Sequence, residues 1–163
     1  QADKFRFAHL QEALTFVPFG VAVDEFQHIC YAHPELTPKE RTYQWHLLEE
    51  KYMPWRRYEN DPFMERGGYW YHKLHIYLYP FYYINYTLAT MGAMEFKKKY
   101  AENKESAWQD YLNLCKTGGS RSYLETLRYA NLSNPFEPGS VARACGYAKQ
   151  ILLEQIAKQE QKA

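Results

Sequence analysis

Two short stretches constrain this chain most: Thr37-Pro38-Lys39-Glu40 and Ser122-Tyr123-Leu124-Glu125. Each places a hydroxyl residue three positions before a glutamate, so the hydroxyl can accept from a backbone N–H while the carboxylate reaches back. Pro38 adds a ring that suits the first helical position. Asp61-Pro62 repeats the cap-plus-proline arrangement. Between these starts, apolar residues recur at helical spacing and never alternate over a sustained run. The chain is therefore expected to be all-α.

Punctuation by Pro and Gly sets the expected elements. Phe5 to Thr15 reads as a helix, with Pro18 and Gly20 interrupting before a second helix from Val21 to Tyr31. The Thr37 start predicts a helix to about Tyr52, and Asp61-Pro62 a short one stopped by Gly67-Gly68. Tyr69 to Tyr79 is helix-like up to Pro80, and Phe81 to about Ala101 follows. Lys97-Lys98-Lys99 reads as a solvated helix end, where cations complement the helix dipole. Ser106 to Lys116 is next, stopped by Gly118-Gly119, and Ser122 opens a helix to about Ala130. Residues 132–140 read as a loop, with Ser140 capping a last helix whose end, "KQEQKA", frays. No repeat or long linker divides the 163 residues, so one all-α unit over 1–163 is expected.

Net charge is +1, which argues against a nucleic-acid partner, since phosphate binding needs a basic face. No apolar run is long enough for a membrane span. The opening "QADKFRFAHL" has neither an initiator Met nor the pattern of a signal peptide, as expected of a piece of a longer protein. Cys30, Cys115 and Cys145 are odd in number and widely spaced, and read as buried reduced thiols of a cytoplasmic protein.

Asp24, Glu25 and His28 are a candidate metal group, because Asp24 and His28 stand one helical turn apart. A di-iron arrangement needs a second Glu-x-x-His, which the chain lacks. The bland alternative is an acidic helix face. His72 and His75 can share a face but are too few for a strong site, and His9, His33 and His46 have no partners at ligand spacing. No phosphate-binding or nucleophile-elbow motif is present.

"HIYLYPFYYINYTL", residues 75–88, carries five of the 16 tyrosines. A buried phenol without a partner costs about 1–3 kcal/mol, so this run is either a carefully paired core or a wall facing another molecule's polar atoms. On an unbroken helix, His75, Tyr79, Tyr83 and Tyr86 share one face, leaving Tyr77 and Tyr82 to the packing side. Pro80 has no N–H and clashes with the Ile76 carbonyl, so a kink or break is expected beside it. Spacing alone leaves core and ligand-facing wall equally open.

"VDEFQH", "PWRRY", "GGYWYHKLHIYLYPFYYINYTLA" and "NPFEPGSV" together resemble the C-terminal part of M3 family zinc metallopeptidases, nearest to the oligoendopeptidase F and Pz-peptidase branch. The resemblance covers essentially the whole chain. It implies a helical, bundle-like fragment of a channel-forming zincin-type catalytic domain that cleaves short peptides in the cytoplasm. It implies zinc in the full-length enzyme, held upstream of residue 1 by an H-E-x-x-H motif absent here, so this chain alone is expected to bind no catalytic metal and to be inactive. It further implies catalytic roles for Tyr86, His75 and Tyr79, with Tyr86 the first candidate for an oxyanion donor, and substrate binding by Tyr83 and Tyr82. Implied partners are short peptides and the upstream zinc-binding part of the same protein. Self-association through surface that the missing part covered is also expected. The alternative is a non-catalytic α-helical module that binds peptides or a partner helix.

Overall fold

The computed structural model describes residues 1–161, and no strand occurs among them. Helices α1 (Ala2–Ala32), α2 (Pro38–Tyr52), α3 (Pro62–Glu65), α4 (Leu74–Leu78), α5 (Ile84–Glu102), α6 (Lys104–Thr117), α7 (Tyr123–Tyr129) and α8 (Ser140–Glu160) follow one another, with a 3₁₀ turn at Gly68–His72. The all-α expectation holds. The final Lys162-Ala163 of the tail predicted to fray lies outside the described residues.

The start signals act as their chemistry requires. Glu40 N–H donates to Thr37 Oγ1 at 3.3 Å, and Thr37 N–H to Glu40 Oε2 at 2.8 Å. Asp61 Oδ1 accepts from the N–H groups of Phe63 and Met64 at 2.9 and 3.1 Å. Ser122 N–H donates to Glu125 Oε2 at 3.0 Å. Each bond satisfies a helix-end donor that would otherwise go unpaired.

Five expectations are corrected. The two helices proposed on either side of Pro18 are one, α1, with Pro18 inside it. Burial on both sides explains this: Val17, Phe19, Ala22, Val23 and Phe26 are all inside, and this packing outweighs one lost backbone bond. Helix α6 starts earlier than Ser106, because Asn103 Oδ1 accepts from Ser106 N–H at 3.1 Å and caps it. Ser140 is the first residue of α8 rather than its cap. Gly139, at φ 76°, takes the cap position, and Ser140 Oγ donates to the Pro135 carbonyl at 2.6 Å. Lys99 is not simply solvated. Its Nζ lies 2.7 Å from Asp110 Oδ2. Cys115 also departs from the expected buried thiol: it is exposed, off the α6 stripe of Ala107, Asp110 and Thr117 that faces inward.

The chain groups into two compact units, one of Thr15–Thr87 and one of Gln1–Leu14 with the chain from Leu88 onward. In the second, Leu10, Met94 and Ala148 form one apolar cluster, and Leu127, Ala130 and Leu132 another. In the first, Phe19, Val23, Phe26, Trp45, Leu48, Met53, Trp70 and Tyr83 form an apolar cluster. Phe26 and Trp45 meet edge to face at 5.3 Å, a favourable aromatic geometry. Gly20 is required there: a Cβ would fall 1.8 Å from Thr87 Oγ1.

Candidate functional site

The site is built by two interruptions. Lys73 is extended, at φ −85° and ψ 92°, and separates the 3₁₀ turn from α4. One turn later α4 stops, closed by Tyr79 N–H donating to the His75 carbonyl at 3.0 Å. Pro80 cannot donate the next helical bond. Phe81 then takes φ 58°, a left-handed conformation costly for an aromatic residue. It is held between the rings of His28 and Tyr31, at 4.8 and 5.1 Å. Helix α5 begins only at Ile84, three residues later than the sequence suggests.

This reversal folds the tyrosines around His75 instead of lining them along one straight helix. Tyr86 Oη lies 3.4 Å from His75 Nε2, and donates to it when that nitrogen carries no proton. The rings of Tyr83 and Tyr86 meet the imidazole edge to face, at 5.0 and 5.6 Å. Tyr79 lies 5.9 Å away and tilted. Tyr82, expected to fall off the stripe, stacks on His75 at 6.4 Å and meets Tyr86 edge to face at 5.5 Å. The break at Tyr79 to Tyr83 brings it in, since an interrupted helix no longer obeys the helical spacing. Tyr77 does leave the cluster and stacks on Trp70 at 5.7 Å, but it remains half exposed rather than packed away.

Exposure divides the set. Tyr79, Tyr82 and Tyr86 are 52%, 49% and 40% exposed, His75 is half-buried, and Tyr83 is only 6% exposed. Tyr83 packs its ring on Phe16 and Phe19, and its hydroxyl accepts from Lys73 Nζ at 3.5 Å. Burial pushes the Tyr83 hydroxyl pKa up, helped by Tyr69 and Tyr86. Desolvation raises that of Tyr86 as well, together with its neighbour Tyr82. Both phenols therefore keep their protons at neutral pH and can donate. Lys73 is pushed the other way by burial and by the nearby charge of Arg56. Its Nζ sits 4.8 Å from the centre of the Phe19 ring. Lys73 lies beside the motif that drew attention in the sequence, and nothing in its spacing marks it. Only the tertiary placement of Phe19 does.

Such a cluster offers exposed O–H donors and aromatic faces around an imidazole. It can hydrogen-bond carbonyl oxygens and stabilise negative charge that grows on one of them. It does not fit a metal centre. Among the described residues no three of His, Cys, Asp and Glu come together as a metal would need. At the other candidate group, Asp24 Oδ2 and His28 Nε2 are 3.4 Å apart. The Glu25 carboxylate accepts from Lys51 Nζ at 2.8 and 2.9 Å and from the Tyr52 hydroxyl.

No family model matches the chain, and no curated protein does. Solved structures do. An X-ray structure described as an oligoendopeptidase F is 50% identical over 93% of the chain, with a TM-score of 0.87. Pz peptidase A with an inhibitor is 48% identical over 94%, with a TM-score of 0.88. A protein described as an oligoendopeptidase F from Bacillus anthracis is 41% identical over 94%, with a TM-score of 0.74. The chain spans 27%, 27% and 24% of those three proteins respectively. A chain that keeps this fold and this identity along nearly its whole length belongs to the oligoendopeptidase F and Pz-peptidase family, of whose members it represents about a quarter.

Proposed function

We propose that this chain is the C-terminal, substrate-facing part of a zinc-dependent oligoendopeptidase of the M3 family that hydrolyses short peptides in the cytoplasm. The observation that carries the reading is the Tyr86 hydroxyl, 3.4 Å from His75 Nε2 within a group of exposed phenols. Tyr86 donates to the scissile carbonyl oxygen as it gains negative charge, and His75 and Tyr79 hold that geometry. Tyr82 and Tyr83 hold the peptide. Tyr83, with its ring in the core, offers the peptide its hydroxyl and otherwise fixes the imidazole edge. Zinc belongs to the parent enzyme, with ligands outside these residues, so the chain alone is inactive. The remaining partners are the upstream part of the same protein and, for the isolated chain, further copies of itself. Free thiols at Cys30, Cys115 and Cys145 suit a reducing compartment.

The test is Tyr86→Phe in the full-length protein with a short peptide substrate. The variant is expected to lose about 10²–10³-fold in kcat with KM little changed. An unchanged kcat overturns the oxyanion role. Peptide binding without any turnover by the full-length protein favours a binding module instead.

A further inference from the structure

Gln27 shares the inward face of α1 with Val23 and Phe26, where a carboxamide is out of place. It is 1% exposed, and among the described residues neither its Nε2 nor its Oε1 has a hydrogen-bond partner. Buried amides are normally paired, so an orphan of this kind calls for an explanation. It lines a cavity of about 310 Å³ walled by Phe26, Trp70, Ile76 and Tyr77, a size that takes a small ligand group. Arg41 of α2 lines it too. One terminal nitrogen of Arg41 donates to the Pro34 carbonyl at 3.1 Å, while its Nε is buried with no partner among the described residues. Arg41 makes no ion pair among the described residues. The cavity thus combines apolar walls, one unpaired carboxamide and one unneutralised guanidinium. Helix α4 joins it to the tyrosine cluster: His75 belongs to the cluster, and the next two residues, Ile76 and Tyr77, line the cavity.

We propose that this cavity binds the carboxyl-terminal residue of a peptide, with an apolar side chain against Trp70 and Tyr77, the last peptide unit on Gln27 and the carboxylate at Arg41. A carboxamide offers one acceptor and a pair of donors, which match the N–H and C=O of a peptide unit. A guanidinium is the strongest protein partner for a carboxylate. The proposal rests on the peptidase reading and names which end of the peptide is held. Its test needs no turnover, so the two readings fail separately.

The full-length protein is titrated calorimetrically with N-acetylphenylalanine and with N-acetylphenylalaninamide. Cys30, which also lines the cavity, reports location through its rate of alkylation, with exposed Cys115 as the internal control. The acid is expected to bind at least tenfold more tightly than the amide, and to slow alkylation of Cys30 but not of Cys115. Arg41→Met removes the preference for the acid, Arg41→Lys restores part of it, and Gln27→Leu weakens both ligands. Equal binding of acid and amide overturns the proposal, as does binding that leaves Cys30 unprotected. So does an unreactive Cys30 with no ligand bound, which means that another segment of the protein fills the cavity. The acid-against-amide comparison uses the unaltered protein, so it stands even where a variant fails to fold.

Discussion

Asp110 shows how one side chain joins parts of the chain far apart in sequence. It is buried, and its carboxylate accepts from Lys99 Nζ and from Asn131 Nδ2, both at 2.7 Å. Lys99 also donates to the Asn131 carbonyl at 2.6 Å. The Lys99 hydrogen bond, followed by that of Asn131, holds the Asp110 carboxyl below its usual range. A carboxyl with a lowered folded pKa stabilises the fold above its unfolded pKa, near 3.9 for aspartate, and that contribution disappears as pH falls through the folded value. Asp110→Asn is expected to cost about 1.5–3 kcal/mol at neutral pH, the range for a hydrogen bond to a charged group. Urea unfolding checks this, and the gap between the two proteins should narrow below pH 4. None of this was legible in Lys97-Lys98-Lys99, which reads as a solvated run until Asp110 is seen beside its last member. That His75, Tyr79, Tyr83 and Tyr86 lie together was legible, because they and the flanking motifs stand in one segment. Spacing put Tyr82 on the packing side and only the resemblance kept it as a candidate, because its place depends on the positive φ of Phe81.

Among elements, what the sequence revealed was local. Thr37, Asp61 and Ser122 cap as their neighbours dictate, and each bond spans two or three residues. What it concealed was long-range. Pro18 and Gly20 look like a stop, but α1 runs through both because the residues around them are buried. Gly20 marks a close approach to Thr87, not a turn. Gly20→Ala would drive a methyl into Thr87 and is expected to cost about 1–3 kcal/mol, as overpacked cores do. Removing the obstructing hydroxyl with Thr87→Ala should return part of that loss. Thermal melts of the two single variants and the double variant check it: the double should be more stable than the summed single losses allow.

At the scale of the molecule, many large aromatic residues face outward. Trp108, Tyr100 and Tyr111 are 56%, 52% and 43% exposed. With Phe96 and Tyr147 they line a groove of about 440 Å³ in the unit that contains α6. Exposed apolar patches of this kind mark surfaces that pack against something. The 163-residue chain on its own is expected to associate with itself as concentration rises, and Trp108→Glu to shift it toward monomer. Light scattering over a concentration series decides, and a wild-type monomer throughout would count against it. The fit of Gly20 to Thr87 has a consequence of another kind. Gly20 cannot gain a side chain unless Thr87 shrinks, so the two are inherited as one character. Across related chains, a side chain larger than glycine at the first position should arrive only with a smaller one at the second.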